Sequence, residues 1–114
     1  MPCTGVRAII RASVKLKNAN KDVLKAAFEL MHEDVVRVEV QNETTLRVIT
    51  KNGGVVYADI TKDGVLMEGY MSKVLEPKVA SFYMAAIQIA NLKRRNMQVS
   101  VQAEGDRVRI MARD

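Results

Sequence analysis

The chain has 114 residues, with 18 Lys and Arg against 13 Asp and Glu, a net charge of +5, one histidine and one cysteine. That length supplies a single domain, residues 1–114, with a core of its own, while a lone Cys3 excludes an intrachain disulfide and a thiolate metal cage. The positive balance favours anionic partners, nucleic acid or acidic protein surfaces, through its long-range field rather than through fold.

The first element expected is a strand over residues 6–17, "VRAIIRASVKLK". Val6, Ala8, Ile10, Ala12, Val14 and Leu16 alternate with Arg7, Ile9, Arg11, Ser13, Lys15 and Lys17. Asn18 or Asn20 caps the next element, "KDVLKAAFELMH", whose Val23, Leu24, Ala27, Phe28, Leu30 and Met31 form one helical stripe. A meander follows. "DVVRVEV" points Val36, Val38 and Val40 inward, "TTLRVIT" does the same with Leu46 and Val48, and "VVYADIT" with Val56, Ala58 and Ile60. Asn52-Gly53 and Asp63-Gly64 supply turn chemistry, and "VLMEGY" makes a further short strand. A second helix opens at Glu76-Pro77, with proline in its first turn, and runs to about Arg95. "MQVSVQA" and "DRVRIMAR" close the chain as a hairpin about Glu104-Gly105.

The order β-α-β-β-β-β-α-β-β implies an α+β fold of two layers. An antiparallel or mixed sheet carries both helices on one face, and its other face is solvated. The only early apolar stretch is interrupted by Arg7 and Arg11, so it reads as no signal peptide. The densest apolar run, Val79 to Leu92, is too short for a bilayer and contains Ser81, Gln88 and Asn91. A cytoplasmic protein without membrane contact is expected.

The basic face is the main chemical signal. Arg7, Arg11, Lys15 and Lys17 of the first strand, Arg107, Arg109 and Arg113 of the last, and the cluster Lys93, Arg94 and Arg95 would grip a phosphate backbone if those strands are neighbours. The opposing reading is a solvated face, because edge strands carry cations against aggregation and a last helical turn welcomes them. Neither strand places an aromatic on its basic side, and Tyr57 alone stands outward on a strand.

The second signal is the breadth of the second helix. Val79, Phe82, Tyr83, Ala86, Ile87 and Ala90 exceed what one sheet face covers, so either the first helix or a second copy or partner packs on them. Asp59 and Asp63 read as strand and turn residues, and His32 as a favourable charge at a helix end. Neither the glycines nor the carboxylates make a phosphate loop, a calcium loop or a catalytic constellation, and no cofactor or metal is expected.

Three segments, "NKDVLKAAFELM", "LRVITKNGGVVYADITKDGVLMEGY" and "FYMAAIQIANLKRRNMQVSVQAEGDRVRIMAR", are spread over residues 20–113. Together their pattern resembles a small uncharacterised family of chloroplast genomes and cyanobacteria. That family shows a strand, a helix, a meander around a Tyr-Asp-Ile-like segment (here Tyr57, Asp59, Ile60), a tyrosine-bearing helix and a closing hairpin. It carries tryptophan after its meander, and this chain has none. The resemblance implies a fold and no activity. The expected function is therefore a non-catalytic binding or assembly module acting as a homo-oligomer or through a protein partner, with nucleic-acid binding as the alternative.

Overall fold

A computed structural model describes residues 10–52 and 54–114. In chain order the elements are β1 (Arg11–Lys15), α1 (Lys21–Glu29), β2 (Val35–Val40), β3 (Thr45–Thr50), β4 (Val55–Thr61), β5 (Gly64–Glu68), α2 (Ser72–Arg94), β6 (Gln98–Glu104) and β7 (Arg107–Arg113). The fold is α+β with antiparallel strands, in the expected element order. The strand arrangement differs from a single sheet. Five strands pair as β1-β5-β4-β3-β2, and β6 and β7 form a two-stranded sheet of their own.

Alternation decides which side of each strand is buried. Ala12 of β1, Leu46 and Val48 of β3, Val56 and Ala58 of β4, and Val65 and Met67 of β5 are buried. They join Leu24, Ala27 and Phe28 of α1 and Leu75, Val79, Phe82 and Tyr83 of α2 in one core. Burying one such side chain contributes roughly 1.5–3 kcal/mol, so this cluster is what holds helices and sheet together. Helix α1 packs on β2 and β3, and α2 packs on β1 and α1.

β2 departs from the simple pattern. Its pairing with β3 shifts between Val35 and Arg37, so Val35 and Val38 are buried while Val36 and Val40 are exposed. A bulge in this edge strand turns Val36 outward, and Val40 stands at the strand's far end.

The caps explain the helix limits. Asn20 Oδ1 accepts from the Asp22 and Val23 backbone N–H groups and starts α1. The helix ends at Leu30, so His32 lies beyond it and is exposed. Helix α2 begins at Ser72 rather than at Glu76, because Met71, Ser72 and Leu75 extend the buried stripe one turn towards the N-terminus. Pro77 consequently stands inside the helix, where it forfeits one backbone hydrogen bond.

After α2 the chain reverses at Asn96, which has a φ of 58°, and β6 and β7 fold back along the helix. Ser81 Oγ donates to the Asp106 carbonyl at 2.6 Å and anchors the hairpin tip, while Ala103 and Val108 pack against the core.

Candidate functional site

The solvent side of the five-stranded sheet carries one continuous row. Register aligns Arg11 with Glu68, Glu68 with Tyr57, Tyr57 with Arg47, and Arg47 with Glu39. Arg11 Nε lies 2.7 Å from Glu68 Oε1, and Arg47 Nη1 lies 2.7 Å from Glu39 Oε1. Arg37 Nε reaches the other Glu39 oxygen at 3.1 Å. The hydrogen bond from Arg47 holds the Glu39 carboxyl below its ordinary range; partial desolvation opposes this and the Arg37 and Arg47 charges reinforce it. Arg47 is raised in turn, first by its bond to Glu39 and then by Tyr57.

This row contains one cation of the expected basic face, Arg11. Arg11 stands in water as its alternation requires, yet it is neutralised by a carboxylate 57 residues away. The first and last strands are in different sheets, so no strand pairing sets their cations side by side. Arg7 and Cys3 lie outside the described residues. Lys15 and Lys17 line a cleft at the end of β1 together with Lys62. Sequence reasoning missed Lys62, whose only signal is its place in the two-residue turn beside Asp63.

The hairpin separates its side chains cleanly. Register pairs Val99 with Ala112, Val101 with Ile110, and Ala103 with Val108 on one face. Gln98 and Arg113, Ser100 and Met111, Gln102 and Arg109, and Glu104 and Arg107 share the other. Arg107, Arg109 and Arg113 are all exposed, as are Lys93, Arg94 and Arg95 at the end of α2. The apolar face is covered unevenly. Ala103 and Val108 near the tip pack on the core, whereas Val101 remains 39% exposed.

The broad apolar surface of α2 is used mostly within the chain. Val79, Phe82, Tyr83 and Ala86 are buried, and Ile87 packs against the same core. Of the six residues expected at an oligomer interface, only Ala90 is exposed. The physical reason is that α1 and β1 pack on α2, and so does the hairpin. The large apolar side chains left in water lie elsewhere, among them Met84 on α2 and Val101 and Met111 on the hairpin.

Single polar residues have local roles. Asp59 accepts a hydrogen bond from Thr45 Oγ1 at 3.0 Å, and Asp34 pairs with Lys78 in a largely buried contact. His32 and Glu29 rim a shallow groove of about 450 Å³ between the helices. Among the described residues, no helix is long and apolar enough to cross a membrane. Comparison with known protein families, curated proteins and solved structures finds no match.

Proposed function

We propose that this chain is a non-catalytic assembly module that pairs with a second copy of itself through the β6–β7 hairpin. Its body is read as two layers, with both helices against the inner face of the five-stranded sheet. The observation that carries the proposal is the state of Val101. It shares a face with Ala103 and Val108, which pack on the core, yet it is itself 39% exposed. A two-stranded sheet is marginal in water unless more strands or a covering layer support it.

The edge that a second copy would use follows from charge. β7 carries Arg107, Arg109 and Arg113, so a two-fold pairing of β7 edges would oppose arginine to arginine. β6 carries Gln98, Ser100, Gln102 and Glu104 on the same face, and a two-fold pairing centred on Val101 sets Glu104 opposite Gln98, which creates no such repulsion. Pairing β6 with its symmetry mate makes a four-stranded sheet by an isologous contact and extends the apolar face across both copies. Light scattering tests the proposal. The expected mass is twice the 12.7 kDa of one chain, falling to one chain in Val101→Lys without loss of fold. A wild-type chain that stays single at every concentration overturns it.

The alternative, contact with nucleic acid, is supported by the three exposed arginines on one face of the hairpin. Replacing Arg107, Arg109 and Arg113 by Gln should then weaken DNA or RNA binding and flatten its salt dependence. Binding that does not vary with salt would remove this reading.

A further inference from the structure

We propose that the cleft at the end of β1 binds a phosphate-bearing anion. The cleft measures about 780 Å³ and is lined by Lys15, Leu16, Lys17, Asn18, Lys62 and Asp63. Three lysines and one carboxylate residue therefore line it. Several cations of the sheet and helix surfaces are paired: Arg11 with Glu68, Arg37 and Arg47 with Glu39, Lys25 with Glu29, and Lys73 with Glu76. Among the described residues, Lys15, Lys17 and Lys62 enter no ion pair. Their unpaired charge sits in a concavity rather than on a convex rim.

The backbone enforces this convergence. Lys15 lies opposite Gly64, and the Leu16 N–H donates to the Asp63 carbonyl at 3.3 Å. A Cβ on Gly64 would stand 1.9 Å from the Val14 carbonyl oxygen, so β1 is pressed directly onto the β4–β5 turn. Lys15 closes β1 on its exposed side, Leu16 packs against the core, and Lys17 stands exposed in the turn that follows. Lys62 is presented by the turn itself.

Holding like charges together is unfavourable unless a counter-charge joins them. Lysine acts on phosphate as a mobile point charge, so three lysines suit a multivalent oxyanion whose orientation is not fixed by a fork. The cleft has room for a diphosphate or a nucleotide, and a nucleic-acid backbone offers the same chemistry. This inference is independent of the assembly reading, because β6 and β7 contribute nothing to the cleft.

The test is a two-dimensional amide NMR titration at low salt with three probes, namely inorganic pyrophosphate, ATP and a short single-stranded oligonucleotide. Saturable shifts at residues 15–18 and 62–63 are expected. Lys15→Gln/Lys62→Gln should weaken the response about tenfold or more, while Lys93→Gln/Arg94→Gln/Arg95→Gln leaves it unchanged. Shifts with pyrophosphate and ATP assign the site to small free phosphates, and shifts with the oligonucleotide alone assign it to a nucleic-acid backbone. The substituted residues Lys15, Lys62, Lys93, Arg94 and Arg95 are exposed, so both variants keep the fold, and dispersed spectra verify this. No saturable shift with any probe, or equal weakening in both variants, overturns the proposal. Val101→Lys separates the two readings, because it should abolish pairing and leave these shifts intact.

Discussion

The backbone N–H of Asn20 donates to Tyr83 Oη at 2.8 Å, joining the first residue of the α1 cap to the middle of α2 across 63 residues of chain. The same asparagine uses its side chain to cap α1. Tyr83 thus supplies core volume with its ring and, with its hydroxyl, a partner for a donor at a helix entrance. Tyr83→Phe should keep the packing and leave that N–H without its partner, at a cost of about 1–2 kcal/mol in urea unfolding. Asn20→Ala removes the cap instead and should cost about 1 kcal/mol. The two losses act on different donors, so the double variant should lose close to their sum. A Tyr83→Phe chain as stable as wild type would show that the hydroxyl contributes nothing.

Gly64 fixes the sheet at its most crowded point. Any side chain there meets the Val14 carbonyl at 1.9 Å and the Leu16 nitrogen at 2.9 Å, and both are backbone atoms that can move only with β1. Gly64→Ala should therefore detach the end of β1 and destabilise the fold by roughly 2 kcal/mol or more. Amide exchange should increase first in β1 and β5. Gly105 offers the contrast, because its Cβ position is open and only its φ of 63° disfavours other residues. Gly105→Asn should be nearly neutral, since asparagine tolerates that conformation.

Glu39 gives the sheet a signed response to acid. Its folded carboxyl is held below the ordinary value of 4.5, chiefly by the hydrogen bond from Arg47. A carboxyl with a depressed folded pKa contributes stability that is complete above its unfolded pKa and is lost as pH falls through the folded one. Denaturant unfolding from about pH 6 down to about pH 3 should therefore fall less steeply in Glu39→Gln than in wild type. The difference should shrink in high salt, because the pair is exposed. Parallel curves would mean that the pair adds nothing to folding.

Much of this fold is legible in the residues. Leu46 and Val48, then Val56 and Ala58, recur at every second position, and Asp63-Gly64 and Glu104-Gly105 mark later turns, so strand identity and element order follow from pattern. β2 is harder because "VVRVEV" has valine on both sides of the bulge, so nothing in it says that Val35 rather than Val36 points inward. The start of α2 is hidden for a related reason. Met71 offers no side-chain cap, and Pro77 marks a first turn one turn too late.

The candidate surfaces were legible only by half. Alternation puts Arg11, Lys15, Arg107 and Arg109 in water, and the structure does the same. It cannot supply partners. Glu68 reaches Arg11, and Lys62 joins Lys15, only through the antiparallel pairing of β1 with β5. Nor does period reveal that the closing hairpin stands apart from the main sheet, because alternation specifies a face and not a neighbour.

Hydrogen exchange of the β6 amides across a dilution series tests self-pairing most directly. As concentration rises, protection should grow over residues 98–104 while the outer amides of β7 keep a constant rate. Exchange in β6 that is the same at every concentration, or protection that builds on β7 instead, would contradict pairing through the β6 edge.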